Sequence, residues 1–175
     1  MLKSSFVAAM IATGVAYVAQ AQDAAVSSTF LRSAIFVADR PATVKFFRDV
    51  MGYEELTTGE LAPAGENDPL GLPAGAKRTL TGMKSKDGAG LSIMGIEHPN
   101  FKPLARPAGI GNAGGDVMFV HQVTNIKEIE RRAKAGGYQV LRDALPSASG
   151  KSLQMFLRDP NGVRLELFEM LPEKK

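Results

Sequence analysis

Phe30-Leu-Arg-Ser-Ala-Ile-Phe-Val-Ala-Asp39 near the start and Phe156-Leu-Arg-Asp-Pro-Asn-Gly-Val-Arg-Leu-Glu-Leu-Phe-Glu169 near the end decide how this chain of 175 residues folds. The first stretch reads as an apolar strand that stops at Asp39, a residue whose side chain caps helices. The helix after it, Pro41 to Met51, carries proline in its first turn and breaks at Gly52. The second stretch reads as a strand, a tight Asp-Pro-Asn-Gly turn, and a strand with a lone carboxylate, Glu166, between Leu165 and Leu167.

Working outward, the same order of elements occurs twice. In the first copy, strand 29–37 leads into a helix in which Val44, Phe47 and Met51 recur at helical spacing. Strands are expected at 53–58, 78–84 and 90–96. In the second copy, strand 116–123 leads to Asn125, which caps a helix over 126–135. Ile126, Ile129 and Ala133 share one face of it, and Gly136-Gly137 ends it. Strands at 138–141, 152–158 and 163–169 complete the set. Such a repeat of strand, helix and three strands predicts an α+β fold of two βαβββ modules, about 29–97 and 116–170, whose small sheets enclose a cleft as an incomplete barrel. The single domain would span 29–175. Two long Pro- and Gly-rich loops, 61–77 and 98–115, interrupt the pattern, and loops of that length commonly cover a site or make contacts.

Strand alternation assigns faces. Arg32, Ala34 and Phe36 would face the cleft from the first strand, and Arg164, Glu166 and Phe168 from the last. Ser92 and Met94 join them, as do Met118, Val120 and Gln122. A tight turn at 159–162 would bring in Met155 and Leu157, with Met155 opposite Glu166. His121 falls on the helix-facing side and His98 in a loop, so both read as structural histidines. Ser92 has no base beside it and no nucleophile-elbow setting. The glycine run 109–115 precedes a strand, the wrong context for a phosphate loop.

The N-terminus reads separately. Lys3, an apolar run over residues 6–18 and Ala19-Gln20-Ala21 have the three parts of a secretory signal, with cleavage expected after Ala21 and a polar leader over 22–28. About 13 apolar residues fall short of the ~20 needed to span a bilayer. A periplasmic or secreted protein with no membrane association after cleavage is therefore expected. Taking Lys3 from the 21 basic residues leaves 20 against 18 acidic ones, a net charge of +2. That balance, with no basic cluster among aromatics, argues against nucleic acid as a partner. The absence of cysteine removes disulfides and thiolate chemistry.

The two quoted stretches resemble the opening and closing strands of the vicinal oxygen chelate superfamily, which includes glyoxalase I, bleomycin resistance proteins and extradiol dioxygenases. The resemblance implies a cup holding one divalent metal on ligands from the first and last strands of each module. Carried over by position, those sites are Arg32, Ser92, Met118 (or Asp116 if the register shifts by two) and Glu166. Only Glu166 is an ordinary ligand, because arginine cannot give up its proton and methionine suits soft ions.

The expectation is therefore a protein without resident metal or other cofactor. A metal-bearing alternative would use Glu166 and Asp116, with His121 as a third ligand. Arg32 and Glu166 are expected to pair as a salt bridge, or to act together on a ligand as anion binder and base. Arg32, Phe36, Ser92, Met94, Met118, Gln122, Met155 and Phe168 would line the ligand cleft. The resemblance also implies a homodimer, since relatives join modules to close open sheet edges. Binding of a small organic molecule is the leading functional expectation. The alternatives are a metal-dependent lyase, isomerase or dioxygenase with relocated ligands, and an interaction protein that uses its long loops.

Overall fold

The computed structural model describes residues 28–106 and 114–172, so the expected signal segment and most of the leader lie outside the described residues. The chain divides into an N-terminal unit, Met1–Phe30, and a second unit, Leu31–Lys175, which holds every described helix and strand. No described helix is long and apolar enough to cross a membrane.

The first module runs β1 (Arg32–Val37), α1 (Arg40–Asp49), β2 (Glu54–Leu61), β3 (Lys77–Lys84) and β4 (Gly90–Glu97). The second runs β5 (Met118–Gln122), α2 (Ile126–Ala135), β6 (Val140–Pro146), β7 (Ser152–Arg158) and β8 (Arg164–Met170). Each module forms one four-stranded sheet, in the orders β1-β4-β3-β2 and β5-β8-β7-β6. In both, the first strand pairs in parallel with the last and the other ladders are antiparallel. The repeat read from the sequence is thus present, with α2 and β7 at the expected bounds and other ends displaced.

Local chemistry explains the ends. The Asp39 carboxylate accepts the Ala42 N–H at 2.9 Å, satisfying one of the orphan donors at the start of α1. Gly52 adopts φ +73°, which lets the Tyr53 N–H turn back to the Phe47 carbonyl at 2.9 Å. At α2, Asn125 caps from the left-handed region, and the Glu169 carboxylate accepts the N–H groups of Asn125 and Ile126 at 3.0 and 2.8 Å. The end of β8 therefore holds the start of α2.

One apolar core serves both modules. Ile35, Val37, Phe46, Phe47, Met83 and Ile93 from the first pack in one cluster with Ile126, Met155, Leu157, Leu165 and Leu167 from the second. The Phe46 ring meets Tyr138 edge to face at 4.9 Å. Polar ties fix the orientation. Asn161 Nδ2 donates to Thr43 Oγ1 at 2.9 Å, and Tyr53 Oη bonds His121 Nε2 at the same distance. The modules thus meet through their helix sides, leaving the opposite faces of the sheets outward.

The β7–β8 register corrects one expectation. Five residues, 159–163, connect the strands, so Arg158 faces Arg164, Phe156 faces Glu166 and Met155 faces Leu167. The loop is held by Asp159, whose carboxylate accepts from the N–H groups of Asn161 and Val163 at 2.9 and 2.8 Å, while Gly162 takes φ +78°. Burial pushes the Asp159 carboxyl above its ordinary pKa, against those hydrogen bonds. A shift of one residue reverses every side chain. Met155 and Leu157, expected in the cleft, are instead fully buried core residues.

Burial also holds the His121 imidazole below its ordinary pKa, although the Phe119 carbonyl and Asp87 pull the other way. The fold therefore favours the neutral ring. The corresponding stability is complete above about pH 6.5, the unfolded value, and is lost as pH falls through the lowered folded pKa. Thermal melts between pH 7.5 and 5 should show a loss that is smaller in His121→Gln. Parallel pH profiles for the two proteins would show that the Tyr53–His121 contact contributes nothing to it.

Candidate functional site

The outward face of each sheet collects the residues that alternation assigned to a cleft. In the first sheet, Ala34 lies opposite Ser92, and Phe36 opposite Met94, with Gly82 and Leu80 beyond them on β3. In the second, Met118, Val120 and Gln122 lie opposite Arg164, Glu166 and Phe168. Phe156 and Gln154 continue that face. Much of it is apolar and open to solvent: Phe36 is 41 % exposed and Val120 57 %.

The two long loops shape the first face. Loop 62–76 folds back where the Ala64 N–H donates to the Ala76 carbonyl and the Ala64 carbonyl accepts from the Gly75 N–H, and Arg78 anchors it by an ion pair with Asp68 at 2.7 Å. Leu72 and Phe101 then pack with Met94 over Ile96 in a satellite apolar cluster. The result is a hollow of about 450 Å³ whose walls include Phe36, Leu70, Leu72, Pro73, Phe101 and Lys102. Its shape is that of a site for an apolar group, with one ammonium at the rim.

The polar residues are arranged differently from expectation. Arg32 is exposed and makes no hydrogen bond or ion pair with a described residue. Glu166 is half-buried and accepts a hydrogen bond from Gln154 Nε2, and Arg142 Nη1 donates to the same amide at 3.5 Å. The expected Arg32–Glu166 salt bridge is therefore absent. The physical reason lies in the helix-side packing, which puts the two residues on the outward faces of separate sheets. Ser92 is buried between Ala34 and Gly82, consistent with a packing role rather than nucleophilic chemistry.

A divalent metal, which the fold implies, finds a poor donor set here. Glu166 is engaged by an amide. Asp116 pairs with Arg106 through one oxygen, and its other oxygen lies 3.4 Å from Arg164 Nη2. His121 sits on the other face of its strand, bonded to Tyr53. The alternative ligand set of Glu166, Asp116 and His121 is thus not brought together. Among the described residues no three His, Cys, Asp or Glu side chains form a group able to hold a metal. The chemistry available on these faces is apolar contact, with Gln122, Gln154, Glu166 and Arg32 as hydrogen-bonding groups.

Sequence reasoning missed Phe156, because the register error placed it in the core, and it missed Leu80. It also missed Leu70, Leu72 and Phe101, which belong to loops without periodicity. The Arg78–Asp68 anchor spans ten residues, and nothing in the local pattern pairs them.

Because Glu166 strands no buried arginine, Glu166→Gln should change the unfolding free energy by less than about 1 kcal/mol, the scale of one amide hydrogen bond. Chemical denaturation would detect a cost of several kcal/mol, and such a cost would mean that Glu166 does balance a buried cation.

Comparison with known proteins agrees with this geometry. The chain is similar in structure to a glyoxalase family protein from Bacillus cereus, with a TM-score of 0.70 and 19 % identity over 85 % of this chain and 100 % of that one. It is also similar to a glyoxylase/bleomycin resistance protein/dioxygenase domain from Frankia sp., with a TM-score of 0.60 and 12 % identity over 85 % and 96 %. The trypanothione-dependent glyoxalase I of Leishmania major follows, with a TM-score of 0.55 and 16 % identity over 82 % and 87 %. No curated protein sequence matches. At these identities the structures speak for the fold alone, but the family model spans residues 29–167. On that match the chain belongs to the glyoxalase/bleomycin resistance protein/dioxygenase superfamily.

Proposed function

We propose that this protein is an exported binding member of its superfamily, which holds a small, largely apolar organic molecule against the outward faces of its sheets without a resident metal. The observation that carries the reading is the composition of those faces. Phe36, Met94, Met118, Val120, Phe156 and Phe168 supply the contacts, whereas Glu166 alone supplies a metal-competent oxygen among the four positions where the superfamily places ligands. Methionine and phenylalanine adapt to varied apolar shapes, which suits binding and sequestration better than a fixed reaction geometry.

A homodimer follows from the same faces. Single exposed apolar residues are ordinary, but two sheets with aligned apolar rows and unpaired outer edges favour a covering partner. A second copy presents a matching face and would close a cavity around the ligand. The Lys3–Ala21 segment supports export.

These features are tested on one sample, the mature protein purified from an exporting host. It should begin at Gln22, sediment as a dimer, hold well below stoichiometric Zn, Mn, Fe or Ni, and keep its melting temperature in chelator. Phe168→Ala should weaken binding of an apolar dye such as anilinonaphthalene sulfonate several-fold. Close to one transition metal per chain, lost in Glu166→Gln, would overturn the metal-free reading and favour an enzyme.

A further inference from the structure

We propose that the groove between the two modules on their helix side is a second ligand site, and that it takes a small zwitterion with an apolar side chain, an apolar α-amino acid. The groove measures about 720 Å³, within the ~300–1,000 Å³ of ligand pockets. It is built from the turn after α1, the β3–β4 turn, the end of β5 and one face of α2.

Three parts of it complement such a ligand. Val50, Met51, Val123 and Ile129 form an apolar wall. The hydrogen-bonded Tyr53 and His121 side chains lie beside it and join the two modules. At the rim, Lys86 and Asp87 stand next to each other on the β3–β4 turn.

The charges at that rim decide the ligand class. Glu128 and Arg132 also reach the groove, but they are occupied. The Glu128 carboxylate holds Arg131 and Arg132 at 2.7 and 2.8 Å, and Arg132 also donates to the Asp49 carbonyl at 3.3 Å. Lys86 makes no hydrogen bond or ion pair with a described residue. Asp87 uses Oδ1 for the Ser85 hydroxyl and the Ala89 N–H, leaving Oδ2 without a hydrogen bond. One ammonium and one carboxylate oxygen therefore remain available side by side, above an apolar wall. A simple anion would answer only Lys86, and a simple cation only Asp87. An α-amino acid presents a carboxylate and an ammonium on one carbon, and its side chain can cover Met51 and Val123, the half-buried members of the wall.

The experiment is calorimetric titration of the mature chain with L-phenylalanine, 3-phenylpropanoate and 2-phenylethylamine, which share the ring and differ in charge. L-phenylalanine should bind, with each single-charge analogue weaker by roughly two- to fivefold, the range expected of one exposed ion pair. Lys86→Met and Asp87→Asn should each weaken L-phenylalanine by a similar factor. Phe36→Ala, on an outward sheet face, should leave it unchanged. Amide shifts on binding should cluster at 50–53 and 121–125. Lys86→Met leaves the Ser85–Asp87–Ala89 hydrogen bonds in place, so its result stands even if Asp87→Asn disturbs the turn. Three outcomes would each overturn the proposal: no binding of L-phenylalanine, equal binding of all three probes, or affinity lost in Phe36→Ala but kept in Lys86→Met. None of them bears on the metal-free reading of the outward faces, which rests on a separate measurement.

Discussion

The burial of both helix-side faces in one common core is the constraint on which the remaining structure depends. From first strand to last the modules span 66 and 53 residues, sizes at which a single sheet and helix are only marginally stable alone. Their union solves that problem through large rings. Phe46 packs on Phe47 within α1 and on Tyr138 in the other module, and Phe47 packs on Tyr53. Apolar contact is not directional, so it cannot select one orientation. The Asn161–Thr43 and Tyr53–His121 hydrogen bonds can, because each is directional and is broken if the modules slide.

This arrangement determines what is left for function. With the helix sides consumed by packing, the sheet faces turn outward, and their side chains are free of the demand to fill a core. Such freedom explains why Val120 and Phe36 can remain exposed without cost to the fold. It also separates Arg32 from Glu166. A buried guanidinium must be compensated, but a solvated one need not be, so no partner for Arg32 is required in the single chain. The buried carboxylate of Asp116, by contrast, has two arginines close to it.

Much of the fold was legible because it rests on local signals. Asp39 and Asn125 announced their helices, strand alternation sorted Phe36 and Phe168 from Ile35 and Leu167, and the repeat showed in the order of elements. The errors share a different cause. The β7–β8 register depended on whether Asp159 opens a tight turn or a five-residue loop. That choice is made by Asp159 accepting two backbone N–H groups and by Asn161 reaching Thr43, a contact 118 residues away in sequence. The Arg32–Glu166 pairing failed for a similar reason. Each residue's face was read correctly, but the relative placement of the two sheets is set by ring packing at Phe46 and Tyr138. The loop residues Leu72 and Phe101 have no periodic neighbours, so only tertiary contact with Met94 identifies them.

The reach of Asn161 to Thr43 also governs the order in which the molecule can assemble. α1 forms early in synthesis, and its buried Thr43 hydroxyl donates locally to the Asp39 carbonyl, yet that hydroxyl accepts the Asn161 amide only when the final turn of the chain arrives. Tyr138, which covers Phe46, comes almost as late. Contacts of such long separation are costly in loop-closure entropy and slow the search for the native state. The first module therefore cannot commit to its final packing on its own, and its exposed phenylalanines must wait for nearly the whole chain. A protein organised in this way acquires its rigidity in a single late step.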